Sequence, residues 1–237
     1  MNWNIIGNGN VAWHFSQLFS TIGEGFLQQN SRNLTQIQEA DIYLLAVTDS
    51  AIAEVATYFE NISPKIIAHT SGTMPLEILD FLTKKNWKTA VFYPLQTLNK
   101  NKKIDWQNIP LLVEASNTNT AQILVEIAQK FTKKAQIISS QQRKNIHLAA
   151  VISANFTHHL CSLTQQYLHD NNLDIQILAP LLLETIQKAS TNPYPTQTGP
   201  ARRKDRLTIE KHLELLEDYP KLKEFYNLFT KSIGEMY

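Results

Sequence analysis

Along the first half of the chain, short apolar runs alternate with stretches in which apolar residues recur every three or four positions. Residues 3–6 (WNII) read as a strand. Val11, Phe15, Leu18, Phe19 and Ile22 then place one apolar stripe on a helix. Residues 25–29 (GFLQQ) form a second short strand pattern. Residues 41–47 (DIYLLAV) are almost continuously apolar, as expected of a strand covered on both faces. A helix over 50–59 with Ser50 as its N-cap follows, then a strand over 65–69 (KIIAH). Next comes a helix over 75–85 with Pro75 in its first turn. Residues 88–93 and 110–115 are further strands, 119–131 a helix and 135–139 a last strand. Strands alternating with helices predict an α/β fold, a Rossmann-type, doubly wound and mainly parallel sheet.

From about residue 141 the strand pattern stops. Residues 141–172 read as one long helix, and 173–190 as a second that Pro180 kinks. Residues 191–200 (TNPYPTQTGP) are a proline-rich loop, and two amphipathic helices complete the chain. The expected division is a dinucleotide-binding domain over 1–140 and an all-α domain over 141–237. The helix around 173–190 is apolar on nearly every side. In so small a domain that surface needs cover, and a second subunit is the expected source.

Composition narrows the class. Hydrophobic residues make up 43% and charged residues 18%, and the net charge is +1. Nothing here draws the whole molecule to nucleic acid or to an anionic membrane. The basic stretch 98–108 (LNKNKKIDWQN) reads as a solvated connection. The single cysteine, Cys161, fits a reducing compartment and packing as a small hydrophobe. No leader or membrane-spanning pattern is seen, so the expectation is a cytoplasmic protein.

The first candidate chemistry is the stretch NIIGNGNVAWHF. Gly7-x-Gly9-x-x-Ala12 has the spacing of the dinucleotide-binding turn, in which Ala is allowed at the third place. Gly7 permits the tight turn, and Gly9 lets backbone approach a pyrophosphate. The small residue at 12 lets helix and strand pack, and the helix N-terminus offers free N–H groups. A tight strand-to-helix corner without ligand is the alternative. The segment after the second strand, LQQNSRN, has no carboxylate to hold a ribose hydroxyl pair. Arg32 lies where a 2′-phosphate would lie, with Ser31 beside it. NADP(H) is therefore expected in preference to NAD(H). The expected cofactor contacts are Gly7, Asn8, Gly9, Asn10, Val11, Ser31, Arg32, Val47, Thr48 and Ser71.

The helix from 141 supplies a second candidate. Stepping about 100° per residue from His147 brings Lys144, Asn155 and His158 within about 80° of it. They form a polar stripe beside a greasy face of Leu148, Ile152, Phe156, Leu160 and Leu163. His147 and Asn155 are expected to serve a cleft between the domains, where ligands favour binding. His158 and His159 are expected to be solvated or packed, and no metal site is expected. Two rim loops, HTSG (69–72) and YPLQT (93–97), follow strands directly and put His69, Ser71 and Gln96 near the ligand crevice. Turn chemistry alone would also favour Ser-Gly and Pro in these loops.

Taken together and in this order, GNGNVA, HTSG, YPLQT, HLAAVISANF and TGPARRKD resemble a family of Rossmann-like proteins with an uncharacterised C-terminal helical domain. That family is regarded provisionally as NADP oxidoreductases. It is distantly related to pyrroline-5-carboxylate reductase, the deazaflavin-dependent NADP reductases and the 6-phosphogluconate dehydrogenase group. The resemblance covers nearly the whole chain. It implies an NADP-binding domain, a helical domain that forms a homodimer, and a cleft between them. The family's marked positions fall on Gly7, Gly9, His69, Ser71, Gly72, Pro94, Gln96, His147, Asn155, Thr198, Gly199, Pro200, Arg203 and Asp205. Three residues depart from its pattern: Ala12 and Lys204 stand where glycine is usual, and Tyr93 where many relatives have histidine. The lysine and following asparagine of the β-hydroxyacid dehydrogenases are absent as a pair, because Leu148 follows Lys144.

These readings predict an NADP(H)-dependent reductase of a small carbonyl or imine compound. His147 or His69 would supply the proton and Asn155 would orient substrate. Gln96, Thr198, Arg203 and Asp205 would contact substrate or the partner subunit; alternatively the segment is a helix start with Asp205 pairing a nearby arginine. The rival functions are an NADP(H)-binding sensor without turnover, and a Rossmann-like enzyme using another nucleotide.

Overall fold

The computed structural model describes all residues, Met1–Tyr237, and the chain divides into two units, Met1–Ala150 and Val151–Tyr237. The first unit is built on one seven-stranded sheet of order β2-β1-β3-β4-β5-β6-β7. Its strands are β1 (Asn2–Ile6), β2 (Gly25–Gln29), β3 (Ile42–Leu45), β4 (Ile66–His69), β5 (Lys88–Pro94), β6 (Leu111–Ala115) and β7 (Ala135–Ile137). All neighbours pair in parallel except β5 and β6, which run antiparallel with Phe92 opposite Val113. The expected sheet is therefore the observed one, with a single reversal. The chain moves outward from β1 to β2 and then returns across β1 to β3. The end of β1 thus lies at the point where the winding changes direction, and ligand crevices open at such points.

The continuously apolar strands serve two cores at once, because successive side chains point to opposite faces. Ile5, Ile42, Leu44, Ala68 and Phe92 face one cluster with Phe15, Phe19 and Leu124. These come from helices α1 (Asn10–Ile22) and α4 (Thr118–Ala128). Ile6, Tyr43, Leu45 and Ile67 face the other cluster, with Phe59, Leu79, Leu82 and Trp87. Helices α2 (Ile52–Thr57) and α3 (Asp80–Thr83) cover this side and are shorter than the pattern predicts. Each is preceded by a 3-10 turn, Asp49–Ala51 and Leu76–Leu79. Ser50 sits inside the first of these turns and does not cap a helix.

The boundary between units falls at Ala150, ten residues beyond the expected one. Strand patterning ends near 140, but helix α5 (Ser140–Ala150) belongs to the sheet domain. Its Arg143 is completely buried against the sheet's rim. The long helix predicted over 141–172 is also not uniform. It comprises α5, a π-helical segment Val151–Phe156, and α6 (Thr157–Asp170). A π turn takes about one residue more than an α turn, so the 100° step ceases to apply beyond Ala150.

In the second unit Pro180 does not kink a helix. It stands in the first turn of α7 (Ala179–Thr191), where its missing N–H costs nothing. The proline-rich segment contains a single helical turn, α8 (Pro193–Thr196). The next predicted helix is split into α9 (Pro200–Arg203) and α10 (Arg206–Leu215), and α11 (Pro220–Met236) ends the chain. Only Ala201 and Leu216 among this unit's hydrophobic residues are buried, whereas Leu181 is 62% and Leu183 73% exposed. No helix is long and apolar enough to cross a membrane.

Candidate functional site

At the end of β1 the backbone turns sharply. Gly7 has φ +141°, and a Cβ there would lie 2.2 Å from the Ala46 carbonyl oxygen. Both the conformation and the close approach of β3 therefore require glycine. Gly9 differs: a Cβ there would meet nothing within 4 Å. It is the N-cap of α1, no side chain caps that end, and no acidic residue lies in the first turn. The N–H groups and the positive dipole end of a thirteen-residue helix are thus presented to open space.

That space is a cleft of about 510 Å³ lined by Asn8, Gly9, Asn10, Val11, Asn30, Ser31, Arg32, Ala46, Val47, Thr48 and Ala51. The cleft brings together every expected cofactor contact except Gly7, which shapes the turn behind it, and Ser71. Arg32 lies on a 3-10 turn, Ser31–Asn33, held by Asn30, whose side chain accepts a hydrogen bond from the Arg32 N–H. The Arg32 side chain is exposed and forms no ion pair. Glycine turn, uncapped helix and free guanidinium suit a ligand with phosphate at two places. Ala12 is buried where α1 meets the sheet, so the methyl group at the third position is accommodated.

A second assembly lies at the ends of β4 and β5. The Tyr93 hydroxyl is 3.0 Å from His147 Nδ1, and the two rings meet nearly edge to face. Both side chains are half-buried. Burial raises the Tyr93 pKa above its ordinary value, and the Arg143 guanidinium opposes that rise only in part. The phenol thus stays protonated, and with it donating to Nδ1 the hydrogen of a neutral imidazole would sit on Nε2. Gly72 makes room for this pair: a Cβ there would fall 2.4 Å from His147 Nδ1 and 2.9 Å from Tyr93 Cζ. Its φ is not positive, so spatial need and not turn conformation explains the glycine of HTSG.

The remaining rim residues hold this arrangement. His69 is fully buried, and its Nδ1 accepts a hydrogen bond from the Ser71 N–H. Burial, reinforced by the Arg143 charge, lowers its pKa to about 4, with the Pro75 carbonyl and Asp49 opposing. The ring is thus buried with its Nε2 unpartnered, and it presents no open face for the proton-donor part expected of it. The Ser71 hydroxyl accepts from the N–H groups of Thr73 and Met74, and its carbonyl accepts from Arg143. Ser71 thus braces its own loop, and it does not line the cleft at the glycine turn. Gln96 is exposed, and its side-chain oxygen accepts from the Thr97 N–H.

Arg143 is the residue that the sequence pattern missed. It donates to the Ser71 carbonyl at 3.0 Å and to Glu114 at 3.0 Å, and Ser140 also donates to Glu114. One buried guanidinium therefore ties α5, the HTSG loop and β6, one turn before His147. A charged residue in a polar run carries no apolar period, so only a carboxylate brought close by the fold gives it away. The basic loop 98–108 is likewise not merely solvated. His14 Nε2 lies 2.9 Å from the Asn99 carbonyl oxygen, and Lys100 Nζ donates to the Asn8 carbonyl at 2.6 Å.

The other expected residues belong to the second unit. Asn155 is exposed on the π-helical segment, as are His158 and His159 on α6. Asp205 caps α10, accepting from the N–H and hydroxyl of Thr208, and these bonds lower its pKa. Its role as a helix start is thus borne out, and no ion pair with Arg203 forms. Arg203 is exposed and Thr198 precedes Gly199, the N-cap of α9. Lys204 occupies the left-handed region at φ 56°, which explains why glycine is usual there.

Comparison with known proteins agrees with this fold. A family model described as a domain of unknown function, DUF2520, matches residues 109–233. A crystal structure from Bacteroides fragilis, provisionally described as an NADP oxidoreductase, is 30% identical over 99% of this chain and 98% of its own, with a TM-score of 0.90. A Thermotoga maritima protein is 21% identical over 99% of this chain and 97% of its own, with a TM-score of 0.72. An imine reductase from Myxococcus stipitatus in complex with NADP+ is 10% identical over 99% of this chain and 93% of its own, with a TM-score of 0.70, and shares the fold. No curated protein sequence matches. With the family model spanning more than half of the chain and the Bacteroides protein similar over nearly all of it, the chain belongs to the DUF2520 family of Rossmann-like proteins.

Proposed function

We propose that the protein is an NADP(H)-dependent oxidoreductase that reduces a small carbonyl or imine compound. The observation that carries the reading is the cleft at the glycine turn, lined both by the uncapped helix N-terminus and by the unpaired Arg32. The backbone N–H groups of Asn10 and Val11 would hold the pyrophosphate. Arg32 and Ser31 would hold the 2′-phosphate, a site that favours NADP(H) over NAD(H). When bound, the nicotinamide supplies or accepts hydride. The relatives described as an NADP oxidoreductase and as an imine reductase with NADP+ support this reading.

His147 is the group assigned to proton transfer. With Tyr93 donating to Nδ1, Nε2 would carry the hydrogen that a reduced carbonyl or imine takes up. Gly72 and Arg143 fix the ring's place. The protein is further proposed to work as a homodimer through its second unit, whose apolar helices leave Leu181, Leu183 and Ile186 exposed in one copy.

The first experiment is a fluorescence titration with NADPH and NADH. NADPH binding with clear preference supports the reading, and no binding of either overturns it. A carbonyl and imine panel then separates turnover from simple cofactor sensing. For an accepted substrate, His147→Ala should abolish turnover with cofactor affinity unchanged. Normal turnover would remove His147 from the mechanism.

A further inference from the structure

The loop between β5 and β6 does more than connect two strands. Three contacts dock it on the glycine turn and on the first turns of α1. The Asn99 carbonyl meets the buried His14 ring, the Lys100 N–H lies 3.4 Å from Asn10 Oδ1, and Lys100 Nζ donates to the Asn8 carbonyl. Asn8 and Asn10 line the same cleft as Gly9 and Val11. The ammonium group is therefore anchored on the turn that shapes that cleft.

We propose that Lys100 is a phosphate-binding residue of the dinucleotide site and contributes the positive charge that the turn itself lacks. The inference rests on the cofactor reading above. Of the three N–H donors on Nζ, the Asn8 carbonyl takes one, and no carboxylate pairs with the side chain. The first turn of α1 has no charged residue, and Arg32 is the one charged side chain lining the cleft, with Lys100 beside it on the glycine turn. Helix N–H groups and a dipole offer only about half a unit charge to the two charges of a pyrophosphate. An ammonium tethered to the Asn8 carbonyl, on the turn that lines the cleft, would supply the remainder. The Asn8 bond also restricts an otherwise free lysine, so less side-chain entropy is lost on binding. Arg32 then reads the adenosine phosphate and Lys100 the pyrophosphate, so one sets cofactor choice and the other overall affinity.

The test measures dissociation constants of NADPH, NADH and 2′-AMP by fluorescence or calorimetry, on wild type and on Lys100→Met, Arg32→Met and Lys103→Met. Lys100→Met should weaken NADPH and NADH alike, by about fivefold to tenfold. It should leave 2′-AMP, which lacks a pyrophosphate, unchanged, and it should flatten the salt dependence of NADPH binding. Arg32→Met should instead remove the preference for NADPH and weaken 2′-AMP. Lys103→Met, a nearby charge lining a different cleft, should change neither. Lys100→Arg should retain most of the affinity. If wild type binds NADPH and Lys100→Met binds it equally, the lysine is only a tether for its loop and the inference fails. Equal weakening of 2′-AMP and NADPH would also overturn it, since the effect would then be general. If wild type binds no dinucleotide, the cofactor reading fails and takes this inference with it.

Discussion

His69 offers a quantitative test of the rim. Its pKa is about 4 in the folded protein, against an ordinary value near 6.5. A histidine held neutral by burial favours the folded state above pH 6.5. Below that pH the unfolded chain takes up a proton that the folded chain refuses, so stability falls until pH 4. Between pH 7.5 and pH 5 this one group should cost about 2 kcal/mol. The assay is urea unfolding followed by tryptophan fluorescence. All four tryptophans, Trp3, Trp13, Trp87 and Trp106, lie in the first unit, so the signal reports that unit alone. With a slope of about 1–3 kcal/mol per molar urea, the midpoint should drop by roughly 1 M. Other groups titrate in the same range, so the decisive quantity is the difference from His69→Gln, which should lose most of this dependence. A variant with the same pH profile as wild type would refute the argument that burial holds the ring neutral. His69 would then return as a candidate for proton transfer.

Three further outcomes follow from the same contacts. Arg143→Leu strands Glu114 and the Ser71 carbonyl and should cost about 3 kcal/mol in the same assay, while the double change with Glu114→Leu should recover much of that loss. Gly72→Ala meets no backbone strain but pushes the His147 ring. It should destabilise by about 1–3 kcal/mol and break the Tyr93 hydrogen bond, seen as a changed His147 tautomer in nitrogen-15 NMR spectra. An unchanged tautomer would show that the pair accommodates the methyl group. Lys204→Gly relieves a left-handed residue at about 1–2 kcal/mol but gives back about 0.4–1 in chain entropy. A small gain in thermal stability is expected, and a loss would contradict the strain.

The sequence by itself determined most of the sheet, because a strand buried on both faces must be apolar throughout and one covered by helices must alternate with them. It also determined the glycine turn, since the positive φ at Gly7 is a local requirement of backbone conformation and the GxGxxA spacing marks it, whereas the close approach of Ala46 that also demands this glycine came only with the fold. Tertiary structure alone decided which rim residues face outward. His69 and His147 are both histidines in suggestive motifs, yet one is sealed under the HTSG loop and the other meets Tyr93, 54 residues away. The ion pair of Arg143 with Glu114 and the reach of Lys100 to Asn8 likewise join segments far apart in the chain. Charged side chains follow no period of their own, and their partners exist only once the backbone has folded. Periodicity also failed where the helix type changed, at Val151–Phe156, because a wheel drawn at 100° assumes the hydrogen-bond pattern that it is meant to reveal.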